Sequence, residues 1–270
     1  MNPLILLRGG GDLASGVALR LHRTGFQVVI LELEKPLAVR RTVSFSEAVY
    51  EGVQTVEGVV ARSVSADQLQ VALEAGEIPV LVDPQANILK NSFVTSPKNT
   101  FVVDARLTKQ MPDPLPADVP LHIGLGPGFN AGENCHAVIE TRRSHTLGRV
   151  YWKGTPQPDS GKPEGDPKRV LRAPCAGELI VHANIGDSLK EGQLIATVNE
   201  MQIKSPFDGV LRGIIRPNFE VTANMKIGDI DPRNDASAIH LVSDKALSIG
   251  GGVLEAVLVK LNEIKSSVGY

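Results

Sequence analysis

A chain of 270 residues is long enough for about two domains, each burying its own core, and 42% hydrophobic with 21% charged residues suits an ordinary folded protein. Its 28 basic and 30 acidic residues leave a formal charge of −2, which excludes an electrostatic case for nucleic acid or an anionic membrane as partner. No apolar run approaches the ~20 residues of a membrane span, Met1 to Leu7 carries no signal-peptide pattern, and Cys135 and Cys175 are too few for a disulfide framework or a zinc cluster. The expectation is a cytoplasmic protein with free thiols and no metal site.

Leu4 to Leu7 is a continuous apolar run of the kind buried on both faces of a parallel sheet. Gly9, Gly10 and Gly11 follow as a turn, and Leu13, Val17 and Leu21 resume at helical spacing from about Asp12. Gly25 closes that helix, and Phe26 to Leu33 completes a βαβ unit. Gly9, Gly11 and Gly16, with Ala14 between, approximate a dinucleotide fingerprint, and Glu32 falls where an acid would meet a ribose hydroxyl. Asp12 opposes this, because a carboxylate at the helix N-terminus repels a pyrophosphate and serves equally as an N-cap. Two readings stand: a loop for NAD(P) or FAD, or a structural turn.

Arg40 and Arg41 lie just beyond the second strand, where a doubly wound sheet binds ligands, and either suits a phosphate or carboxylate clamp; a solvated ion pair is the alternative. A short helix is expected through Val49 and Tyr50, an extended stretch over Val53 to Ser63 and a helix from Ser65 to Gly76. Strands at 80–82 and 101–103 both run into an aspartate, Asp83 and Asp104. Four prolines in residues 111–120 make a rigid loop. A second glycine turn follows a strand at Gly124, Gly126 and Gly128, where free amides would form an anion nest. His136 beside Cys135 lacks a third orienting group, so a satisfied buried histidine is expected there, and no catalytic residue is assigned.

Residues 153–168 read as a linker rich in proline, glycine and charge. Beyond it, Pro174, Gly177, Leu179, Leu189, Ile195 and Val198 recur 32 positions later as Pro206, Gly209, Leu211, Val221, Ile227 and Ile230. Gly186 and Gly192 are matched by Asn218 and Asn224, which predicts a shared left-handed turn and two intertwined half-units of short strands. The pattern resembles the biotinyl/lipoyl carrier domain, a barrel-sandwich hybrid, but the hairpin at Asn199 to Gln202 has no lysine, so no biotin or lipoyl attachment is expected. Ile239 to Val242 reads as a last strand. Gly250 to Gly252 then precede a helix whose Val253, Leu254, Val257, Leu258 and Leu261 form one stripe, expected to cover the first domain or to make a homo-oligomer contact.

Across residues 4–258 the stretches LLRGGGDLASGVALRL, VRRTVSFSEAVYEG, GPGFNAG with HAVIET, LGRVY, SPFDGVLRGI, KIGDIDPR and IGGGVLEAVL resemble the selenium-dependent molybdenum hydroxylase system accessory family. The first domain is also similar to the Rossmann-like domain of xanthine dehydrogenase accessory factors. The resemblance implies a maturation factor for a molybdenum hydroxylase client enzyme, binding a nucleotide-type small molecule or the molybdopterin nucleotide itself. An NAD(P)-dependent oxidoreductase and a non-enzymatic docking scaffold are the alternatives. The expected fold is an α/β Rossmann-like domain over 1–152, a linker over 153–168, an all-β biotinyl/lipoyl-like barrel-sandwich hybrid over 169–244 and a closing helix over 245–270.

Overall fold

In the computed structural model of the protein, residues 2–91, 96–161, 166–233 and 235–267 are described. They divide into two units: residues 1–36, 45–159 and 242–270 in the first, residues 37–44 and 160–241 in the second. The expected first domain thus gives up an internal segment, 37–44, to the second unit, and part of the expected linker, 162–165, lies outside the described residues.

The first unit is built on one nine-stranded sheet. Its strands are β1 (Leu4–Arg8), β2 (Val28–Glu32), β3 (Val53–Val56), β4 (Val59–Ser63), β5 (Ile78–Val82), β6 (Thr100–Asp104), β7 (Leu121–Leu125), β8 (Ala137–Ile139) and β9 (Val150–Tyr151), in the order β3-β4-β5-β2-β1-β6-β7-β8-β9. The six inner pairings are parallel, while β3 and β9 pair antiparallel at the two edges. Every residue of β2, β6 and β7 is buried, and their apolar stretches Val28–Leu31 and Phe101–Val103 are those of strands covered on both faces.

Helix α1 (Asp12–Arg23) connects β1 to β2. Its N-cap is Gly11, so Asp12 is the first helical residue and not the cap. Asp12 at the start and Arg20, His22 and Arg23 in the last turn complement the helix dipole, and Gly25, with φ 86°, ends it as expected. The next helices are α2 (Ala48–Glu51) and α3 (Leu69–Glu74), the latter preceded by a capping box between Ser65 and Gln68.

The long C-terminal helix α4 (Asp244–Ser267) belongs to the first unit and packs along α1. The triple glycine lies inside it and does not precede it. Gly250 approaches the Gly16 carbonyl of α1, and a Cβ on Gly16 would sit 2.6 Å from the Cβ of Ala246. Gly16 and Gly250 are small because two helix backbones cross there, while Gly252 lies against Gly148 and Gly251 is open.

The second unit contains two four-stranded antiparallel sheets. The strands are β10 (Val170–Arg172), β11 (Gly177–Val181), β12 (Ser188–Leu189), β13 (Leu194–Val198), β14 (Met201–Lys204), β15 (Gly209–Ile214), β16 (Glu220–Val221) and β17 (Lys226–Asp231). One sheet runs β10-β17-β15-β12 and the other β14-β13-β11-β16. The 32-residue repeat relates β11, β12 and β13 to β15, β16 and β17, and each half gives its short strand to the other half's sheet. Gly186, Gly192, Asn218 and Asn224 all have positive φ, at 102°, 79°, 61° and 66°, so the glycine-for-asparagine exchange preserves the turn. Residues 236–240 form a 3₁₀ turn where a last strand was expected.

The expected fold class is therefore corrected. A doubly wound Rossmann-like domain crosses between its parallel strands with helices, yet among the described residues the links β5–β6, β6–β7 and β7–β8 hold no α-helix. Pro112, Pro114, Pro116 and Pro120 bar one from the second of these links, and α4 covers the sheet from the far end of the sequence. The result is a mixed sheet. The biotinyl/lipoyl-like barrel-sandwich hybrid is corrected as well, to two separately hydrogen-bonded antiparallel sheets. No helix among the described residues is long and apolar enough to cross a membrane.

Candidate functional site

Strand order reverses between β1 and β6: β2 and β5 lie on one side of β1, β6 to β8 on the other. Ligands of open α/β sheets bind at such a switch point, outside the carboxyl ends of the strands. Arg8 ends β1 and Asp104 ends β6, and the two are register partners. Arg8 donates from Nη1 to Asp104 Oδ2 at 3.2 Å and from Nη2 to the Pro84 carbonyl at 2.9 Å. Arg106 closes on the same carboxylate in bidentate fashion, Nε to Oδ1 at 2.9 Å and Nη2 to Oδ2 at 2.6 Å.

Asp104 is fully buried and Arg8 is 2% exposed, while the Arg106 side chain keeps 29% of its surface. Burial pulls the Arg8 pKa below its ordinary value, against the opposing pull of Asp104.

Alternation along the strands puts His122 on the same sheet face, because Val102 pairs with His122 and Asp104 with Gly124. Phe129, fully buried, lies over Gly124, where a Cβ would collide with its ring, and meets the His122 ring edge-on at 5.9 Å. Burial first, and the neighbouring arginines and His136 with it, hold the His122 pKa down at about 4 against the pull of Asp104, so its imidazole is neutral at pH 7. In this cluster Arg8 Nε and His122 Nε2 are buried side-chain atoms without a protein hydrogen-bond partner, and Thr108 Oγ1, another such atom, lies against Gly128.

The glycine turns are occupied by the chain itself. Gly9, with φ 93°, brings the turn against the Ala105 carbonyl, and the Gly9 amide donates to the Leu31 carbonyl at 2.8 Å. Gly10 donates from its amide to Glu32 Oε1 at 2.7 Å, and its own carbonyl accepts from the Ser46 amide at 2.8 Å. Space is left only beside Gly11, and Ala14 is buried in α1. In the second turn Gly126 (φ 113°) lies against Leu107, and Gly128 donates to the Thr108 carbonyl at 2.9 Å with the Gln110 carbonyl over its Cα. That stretch is a close crossing of two backbones.

Arg40 and Arg41 belong to the second unit. Arg40 donates to the Leu241 carbonyl at 2.8 Å and Arg41 Nε to the Ile214 carbonyl at 2.8 Å, tying residues 37–44 to that unit. Asp83, the other strand-ending acid, caps the turn Asn87–Lys90 through the amides of Asn87 and Ile88. His136 is exposed rather than buried and accepts the His122 amide on Nδ1, and burial pushes the Cys135 thiol up to about 11. His136 Nδ1 is thus engaged by the His122 amide. No group of metal-ligating side chains occurs among the described residues.

Sequence reasoning named Asp104 as a strand-ending acid but missed Arg8 and Arg106. A single charge closing the apolar run Leu4–Leu7 was the available signal for Arg8; its partner lies 96 residues away.

No family model matches the chain. Over 267 residues it is 46% identical to a protein of Escherichia coli K12 described as uncharacterized protein YqeB, covering 97% of this chain and 48% of that protein. The chain thus spans about half the length of that curated relative. Among solved structures, an aspartoacylase family protein of Mesorhizobium loti aligns at 11% identity and a TM-score of 0.24, with 85% of each chain covered. A succinylglutamate desuccinylase/aspartoacylase of Rhodobacter sphaeroides aligns at 13% and 0.26, with the same coverage. No argument about this chain rests on likeness that slight. With no family model and an uncharacterized relative, the resemblance to the molybdenum hydroxylase accessory family is overturned.

Proposed function

We propose that the protein binds a small molecule through an anionic group at the carboxyl ends of β1, β6 and β7, with Arg8, Arg106 and the neutral His122 as its donors. The observation that carries this reading is the pair of buried atoms, Arg8 Nε and His122 Nε2, left without protein partners beside a doubly bridged aspartate at the switch point. Each unpaired buried donor costs about 1–3 kcal/mol, and one oxyanion accepting from several of them removes that cost. Asp104 holds both guanidinium groups in place, and the partly exposed Arg106 faces the route from solvent. Phosphate and carboxylate groups fit this chemistry equally, so nucleotides such as NAD(P) and FAD fall within the proposed class. We also propose a cytoplasmic setting, supported by Cys135 and Cys175, which are both free.

Thermal unfolding in the presence of phosphate, succinate, NAD, NADP and FAD tests the reading. A true ligand at 100 times its Kd adds about 2.7 kcal/mol, and Arg106→Gln abolishes the gain. If none of these probes stabilises the wild type at millimolar concentration, the reading is wrong.

A further inference from the structure

The first glycine turn holds a carboxyl group that the chain itself supplies, Glu32, whose pKa burial raises against the lowering effect of two main-chain hydrogen bonds. Glu32 ends β2 on the opposite sheet face from Leu31, whose register partner is Arg8, so it points away from the arginine pair. Its carboxylate is 7% exposed and accepts two main-chain hydrogen bonds, from Gly10 N at 2.7 Å and from Leu33 N at 2.6 Å. The Gly10 amide, just ahead of a 12-residue helix, is the donor that a phosphate or carboxylate of a ligand uses in turns of this kind.

The surroundings engage the rest of the turn. The Gly10 carbonyl accepts from Ser46 N at 2.8 Å and from Ser15 Oγ at 3.2 Å, and Ser15 Oγ accepts from Phe45 N at 2.9 Å. A Cβ on Gly10 would lie 2.9 Å from Ser46 N and 3.0 Å from Ile30 Cγ2. Residues 45–46 thus cover one side of the turn, while the Glu32 carboxylate takes its Gly10 amide.

We propose that Glu32 is the resident anion of this turn: its carboxylate occupies the position of a ligand's anionic group and closes the turn to phosphate. The fingerprint-like glycines and the acid twenty-odd residues downstream then serve one internal contact, a strut from the end of β2 to the start of α1. When Glu32 is removed, the vacated position takes a small carboxylate such as formate. This device lies on the other face of the sheet from the arginine site and shares no residue with it, so either proposal survives the failure of the other.

The test is chemical rescue. Sodium formate should raise the Tm of Glu32→Ala saturably, by about 2–4 °C, above any change given by sodium chloride at equal ionic strength. The wild type should show no such gain, and sodium pyrophosphate should give none in either protein. An E32A variant that folds only when formate is present supports the proposal in the same way. Equal responses of E32A and wild type to formate, or rescue by pyrophosphate as strong as that by formate, overturn it. If E32A does not fold under any condition, hydrogen exchange in the wild type decides: the Gly10 and Leu33 amides are protected if the strut exists, and exchange at the rate of an open turn refutes it.

Discussion

Arg8 and Asp104 face each other across neighbouring parallel strands at the one point where strand order reverses, 3.2 Å apart and both buried. A buried pair of this kind contributes little net stability, because desolvation offsets attraction, yet removing one partner strands the other's charge.

Asp104→Ala should therefore destabilise the first unit by about 3–5 kcal/mol, read as a lowered midpoint in urea. A double replacement, Arg8→Met with Asp104→Leu, should recover much of that loss while leaving the protein without anion binding. Equal instability of the single and double variants would contradict the stranded-charge account.

His122 makes stability depend on pH in a defined window. Its folded pKa is depressed to about 4 from an ordinary 6.5, so on acidification the unfolded chain takes the proton first. Stability from this group is complete above pH 6.5 and falls as pH drops toward 4, by on the order of 3 kcal/mol in all. Comparing urea midpoints of wild type and His122→Gln between pH 7.5 and 4.5 checks this: the variant should lose less on acidification.

The helix crossing gives a contrast within three consecutive residues. Gly251→Ala meets no atom within 4 Å and should stabilise by up to about 1 kcal/mol through helix propensity. Gly250→Ala presses a Cβ to 2.7 Å from the Gly16 carbonyl and should cost about 1–3 kcal/mol. Thermal melts that rank the two the other way would show that α1 and α4 do not cross as described.

In the second unit, Asn224 at φ 66° stands where its repeat partner is Gly192 at φ 79°. Asn224→Gly should be close to neutral and Asn224→Val clearly destabilising, by about 1–2 kcal/mol, because a β-branched residue resists that backbone region. Chemical denaturation of the two variants gives the comparison directly.

Local features were legible in the sequence because their causes are local. The apolar runs at Leu4–Leu7 and Phe101–Val103, the stop at Gly25 and the 32-residue repeat all follow from residue chemistry within a few positions. Gly250 to Gly252 misled for the same reason. A glycine run announces either a turn or a close approach, and at Gly250 only the arrival of α1 from over 200 residues away decides for the second. The arginines at 40 and 41 likewise look like a clamp until carbonyls at 214 and 241 claim them.

Taken by itself, the sequence determined the identities of the central strands, the βαβ opening, the paired turns of the repeat and the absence of a lysine on its hairpin. Tertiary structure alone decided which groups meet: Arg8 with Asp104, Glu32 with Gly10, Gly16 with Gly250. The division is physical. Burial patterns and turn preferences are properties of short segments, whereas a site is a set of distances between segments, and parallel pairing fixes those distances only after the whole sheet has formed.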